Sequence, residues 1–155
     1  MSVAFSASEL INMAIGNEKR GIAFYDVMTR STDSAAARRV FQYLGDMERE
    51  HIQIFEGMLA EVSEYPTAET CTQEYVDYLK ALIDTAIFTD DLAISETANQ
   101  VDSDRKALEL AIGAEKDAIL FYYTMKEILP RRAHATVDKI IAEEKAHLRQ
   151  LSELK

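Results

Sequence analysis

Cysteine occurs once, at Cys71. No intramolecular disulfide can form, and no Cys-x-x-Cys pair exists to hold zinc or a thiolate-bound iron. This usage implies the reducing cytoplasm. Two prolines and five glycines are too few to punctuate a fold of many short strands and tight turns. No uninterrupted apolar stretch approaches the roughly 20 residues of a bilayer span. The N-terminus, MSVAFSASELINMAI, lacks the basic and apolar regions of a signal peptide and reads as the run-in to a helix. Positive charge is also in deficit, with 17 Lys and Arg against 27 Asp and Glu and a net charge of -10. The basic residues are scattered among acids, so the clustered cationic surface that a phosphate backbone requires is missing. Neither nucleic acid nor membrane is an expected partner.

What fills the chain is Ala, Glu, Leu, Ile, Lys, Arg and Met, the strong helix formers. At 155 residues this predicts a single all-α domain spanning 1–155. Apolar residues at Leu10, Ile11, Ala14, Ile15, Ile22, Tyr25 and Met28 keep helical spacing from a start at Ser8-Glu9 to Arg30. After the turn Ser31-Thr32-Asp33-Ser34, a second helix over 35–62 carries Val40, Leu44, Met47, Ile54, Phe55, Met58 and Leu59 on one broad face. Residues 63–102 read as a long crossover, with a stop at Tyr65-Pro66 and a helical segment over 73–87. Ser103 caps a third helix running to Leu129, Pro130 ends it, and 131–154 forms the fourth.

The chain repeats itself. AIGNEKRGIAFYDVM, from Ala14, aligns with AIGAEKDAILFYYTM, from Ala111, with most of the fifteen positions identical. In the helix that follows each segment, Glu48-Arg49-Glu50-His51 stands against Glu144-Lys145-Ala146-His147. Two related helical hairpins, about 8–62 and 103–154, therefore form a four-helix bundle.

A Glu and a His three residues apart share one face of a helix and reach neighbouring coordination positions. A single Glu-x-x-His is more often a solvated face than a ligand pair. Here Glu18, Glu48, Glu115 and Glu144 each lie about fourteen to sixteen residues from the turn of their hairpin, which puts all four at one level of the bundle. Ile22, Tyr25, Ile119 and Tyr122 follow on the same stripes, so these acids face inward. Four buried carboxylates without cations would be prohibitively costly. Their charge balances two divalent metals, with His51 and His147 completing the shells. Carboxylates with a few imidazoles suit iron, with manganese or zinc as substitutes.

One Glu from each of two helices and a Glu-x-x-His from each of the others is the ligand pattern of ferritin-like carboxylate proteins. On Glu18, Glu48-x-x-His51, Glu115 and Glu144-x-x-His147 the chain resembles the rubrerythrin and bacterioferritin branch of that superfamily. The resemblance implies bridging roles for Glu48 and Glu144. It makes Glu18 and His51 terminal on one ion, and Glu115 and His147 terminal on the other. It also implies a non-haem di-iron oxidoreductase that reduces hydrogen peroxide or dioxygen with an external electron donor, and a homodimer. The alternative is a ferroxidase that oxidises Fe(II) for storage or detoxification; a third reading is a bundle whose metal only neutralises the core.

Two positions depart from the family. Ala118 stands where rubrerythrins carry a further carboxylate, and Arg49 stands where bacterioferritins place a haem-binding Met, so no haem is expected. Gly21 and Ala118, one turn after Glu18 and Glu115, leave a nearly bare face with room for the oxidant. Tyr25 and Tyr122 pack in the core with satisfied hydroxyls, hydrogen-bond a bridging carboxylate, or carry a transient radical. His134, with no Glu partner at ligand spacing, reads as surface. Glu50, Glu143 and Asp117 point away from the ligands and read as solvated or as outer partners.

Overall fold

The computed structural model describes residues 5–63, 72–88 and 104–155. All regular structure among them is helical. Helix α1 (Ala7–Ser31) starts slightly earlier than the Ser8-Glu9 signal suggests, because the Ser6 side chain accepts the Glu9 N–H at 3.1 Å and caps it. Ser34 Oγ caps α2 (Ala35–Ser63) in the same way, accepting from the Ala37 N–H at 3.2 Å. The crossover helix α3 (Gln73–Asp84) is capped by Thr72 and stops short of the expected residue 87. There the Ile87 N–H donates to Asp117 Oδ2 at 2.9 Å, and the Ile87 side chain fills the space that a Cβ at Gly113 would need. Tertiary contacts with the third bundle helix thus replace another helical turn.

That bundle helix, α4 (Asp104–Lys126), also ends earlier than Leu129. Proline disfavours helix in the residue before it, and Glu127, Ile128 and Leu129 turn back onto the carbonyls of Thr124 and Met125. A 3₁₀ turn (Arg131–Ala133) then leads into α5 (His134–Leu154). His134 is half-buried rather than a surface residue, with Nε2 3.0 Å from the Leu129 carbonyl, so it closes this connection and takes no part in the site. Pro66, Cys71 and Ser103 lie outside the described residues.

Helices α1 and α2 form one antiparallel hairpin and α4 and α5 the other. The hairpins pack α1 on α4 and α2 on α5, and α3 lies against α4. Two apolar clusters fill the bundle. One gathers Leu10, Ile11, Phe55, Leu79, Met125 and Ile140; the other gathers Phe24, Met28, Phe41, Leu44, Ala111 and Leu151. On α1 and α2, Phe24 and Phe41 are fully buried although helical spacing alone did not single them out, whereas Ile22, Val40, Met47, Ile54 and Leu59 are only half-buried. A buried residue such as Phe55 contributes roughly 1.5–3 kcal/mol of transfer free energy. These clusters supply the stability that lets a polar layer persist between them.

Candidate metal centre

The polar layer is built from the middle of all four bundle helices. Glu18, Glu48, His51, Glu115, Glu144 and His147 are each no more than 4% exposed. Ligand atoms of Glu18, Glu48, His51 and Glu144 lie within 4.8 Å of one another, as do those of Glu48, Glu115, Glu144 and His147. Two adjacent clusters therefore share Glu48 and Glu144. Glu144 Oε1 is 3.1 Å from His51 Nδ1 and Oε2 is 3.1 Å from His147 Nδ1, while Glu48 spans the same two nitrogens at 3.8 and 3.7 Å.

Tyr25 and Tyr122 cross between the hairpins. Tyr25 on α1 donates to Glu115 Oε1 at 2.6 Å, and Tyr122 on α4 donates to Glu18 Oε1. Both hydroxyls therefore engage a carboxylate that belongs to one cluster alone, not one of the two shared carboxylates. Asn17 adds a donor to the Tyr122 oxygen at 3.4 Å. Neither Asn17 nor this crossing was legible from spacing within one helix. Glu143 holds His51 Nε2 at 2.8 Å, whereas Asp117 is spent on the Ile87 backbone and Glu50 is exposed. Arg49 points outward and forms a forked ion pair with Asp26, at 2.7 and 3.0 Å.

The electrostatics are those of a site built around cations. Burial raises the Glu115 carboxyl well above its usual range, and the charge of Glu144 adds to this. Burial and the charge of Glu18 raise Glu144. Burial alone would lower His51, but the adjacent Glu144 and Glu18 carboxylates, 3.1 and 3.5 Å from Nδ1, carry it up to about 11. His147 is lowered, chiefly by burial. Without metal, protons must stand in for the positive charge that the carboxylates need. Glu18 Oε2, Glu144 Oε1 and His51 Nδ1 are buried with no hydrogen-bond partner among the described residues. Buried polar atoms without hydrogen bonds are unfavourable, and a bound cation would satisfy all three. The donor set and its geometry fit a di-iron site.

Beside Glu48 and Glu115 is a cavity of about 10 Å³, lined in part by Gly21, Ala118 and Phe88. The bare face is thus real but small. A Cβ at Gly21 would lie 3.7 Å from Glu48 Cγ, an ordinary van der Waals contact, so an alanine would fit there beside the carboxylate. Phe88, from the segment after α3, lines the cavity and could not be placed by the bundle pattern.

A four-helix bundle of two hairpins, with paired carboxylate and imidazole clusters at mid-height, defines a ferritin-like carboxylate protein. The rubrerythrin family profile matches residues 9–155, and the chain belongs to that family. A crystal structure from Thermotoga maritima, described as a ferritin-like diiron-carboxylate protein, is similar over 100% of this chain and 97% of its own. The two are 30% identical, with a TM-score of 0.73. No curated protein matches. No described helix is long and apolar enough to cross a membrane.

Proposed function

We propose that the protein is a di-iron oxidoreductase that reduces hydrogen peroxide or dioxygen with electrons from an external donor. Glu18 and His51 would be terminal on one ion, Glu115 and His147 on the other, with Glu48 and Glu144 bridging. The observation that carries this reading is the sharing of Glu48 and Glu144 by two clusters, which would hold two cations close enough to act as one redox unit. When bound, the iron pair supplies the two electrons that, with two protons, take hydrogen peroxide to two waters.

The side chains do the rest. The Tyr25 and Tyr122 hydroxyls fix the orientation of Glu115 and Glu18, and the apolar clusters above and below keep bulk water out. The 10 Å³ cavity holds about one water-sized molecule, which favours a small oxidant over an organic substrate.

Anaerobic Fe(II) titration followed by stopped-flow mixing with peroxide, and separately with oxygen, tests the proposal. The expected result is saturation at two irons per chain, rapid oxidation, and multiple turnovers once a reductant is added. Assemblies that retain many irons per chain would instead mark a ferroxidase serving storage, and tight binding without oxidation would leave only a structural metal. Filling the cavity with Ala118→Leu should leave the two-iron stoichiometry intact and slow diferrous oxidation by about tenfold or more, a barrier increase of about 1.4 kcal/mol. An unchanged rate would remove this cavity as the place where the oxidant reacts.

A further inference from the structure

The repeat makes the two halves of the centre comparable residue by residue, and they differ in what stands behind the ligands. His51 corresponds to His147, and the residue before each shared glutamate is Met47 in the first hairpin and Glu143 in the second. Glu143 Oε2 lies 2.8 Å from His51 Nε2, a contact made across the bundle. With a cation on Nδ1, this contact would keep the imidazole proton on Nε2, and Nδ1 already faces Glu18, Glu48 and Glu144. His147 presents Nδ1 to its own cluster in the same way. Its Nε2, however, is buried with no hydrogen-bond partner among the described residues, and its ring meets Tyr43 edge-on at a centroid distance of 6.2 Å.

A second departure from symmetry falls on the same side. Asn17, which donates to the Tyr122 hydroxyl, corresponds to Ala114 in the other half. A hydroxyl that accepts a hydrogen bond is the stronger donor, so Tyr122 grips Glu18 with help that Tyr25 lacks at Glu115. A carboxylate behind a metal-bound imidazole fixes its tautomer and raises its basicity, and losing such a partner typically costs 10–100-fold in metal affinity.

We propose that the two metal positions are unequal. The position of Glu18 and His51 binds first and more tightly, that of Glu115 and His147 second, and Glu143 is the positioning residue that sets the difference. The inference rests on the two-metal reading above. Its consequence is that the reactive pair assembles only when metal is plentiful enough to fill the weaker position.

Anaerobic titration of the metal-free protein with Co(II), followed by visible absorption and calorimetry, tests this without any turnover. The wild type should bind in two resolved steps, with dissociation constants at least about tenfold apart. Glu143→Gln keeps the shape but removes the charge. It should weaken the first step by about 10–100-fold, leave the second within about twofold, and merge the two. Met47→Glu should strengthen the second step. His51→Ala and His147→Ala assign the steps, the first variant losing the tight one and the second the weak one. Two equal sites in the wild type, or a Glu143→Gln titration like that of the wild type, would overturn the inequality and leave the two-metal reading standing. Failure of the wild type to bind a second equivalent would overturn both.

Discussion

Loading the metal-free protein with two divalent ions should raise the midpoint of thermal unfolding by roughly 15–30 °C. A ligand at about 1,000 times its dissociation constant stabilises the native state by about 4 kcal/mol per site, provided the unfolded chain does not compete. For a chain of this length each kcal/mol moves the midpoint by about 2–4 °C. The effect should also depend on pH in a direction fixed by the buried groups. His51 in the folded, metal-free protein titrates near 11, above its ordinary 6.5. Its contribution to stability is therefore complete below pH 6.5 and is lost as pH rises toward 11. Glu115 and Glu144, also raised, act in the same direction above the ordinary carboxylate range. His147 is lowered and opposes them, but only below 6.5. The metal-free protein should thus unfold at lower temperature at pH 8.5 than at pH 6.5, and the gain on loading should be larger at the higher pH. Calorimetry with and without Mn(II) at both pH values is the measurement. A gain of only a few degrees, or one that shrinks as pH rises, would mean that cations are not what the carboxylates require.

The second large effect concerns Glu144. Its two oxygens reach both imidazoles at 3.1 Å, so a change there strikes both ligand clusters together. Glu144→Gln should lose at least about 100-fold in affinity at each, more than an outer partner such as Glu143 costs, and turnover should fall to background. Glu18→Gln, by contrast, alters one cluster only and should leave one ion bound. The metal-free Glu144→Gln protein should be no less stable than the metal-free wild type, because a neutral amide replaces a carboxylate that burial and the charge of Glu18 disfavour more than His51 supports it. Metal analysis after gel filtration, beside thermal unfolding in chelator, separates these outcomes. Retention of two ions by Glu144→Gln would show that it does not bridge, and a large loss of metal-free stability would make it a structural residue instead.

Tyr25 and Tyr122 show where sequence reasoning stopped. Their matching places in the repeat marked them as neighbours of the ligands and suggested a bridging carboxylate as partner, whereas each meets a carboxylate of one cluster alone. Each turned out to reach across to the other hairpin. Glu143 is a similar case. Its angle on its own helix points it away from the Glu144 stripe, yet α2 brings His51 to meet it. Comparing Met47 with Glu143 in the repeat was the available signal for an inequivalence, and only the packed bundle gave it a meaning.

By itself, the sequence determined the helices, their pairing into two similar hairpins, and the common level of Glu18, Glu48, Glu115 and Glu144. These follow from periodicity and chain distance, which are local quantities fixed by 3.6 residues per turn and 1.5 Å of rise. The tertiary structure decided the crossing of the tyrosines, the support of one imidazole but not the other, the place of Phe88 in the cavity wall and the early end of α3 at Asp84. Each of these depends on the rotation of one helix against another, or on where the crossover rests on α4. That is set by how the apolar side chains of different helices interlock, which no single helix's spacing contains.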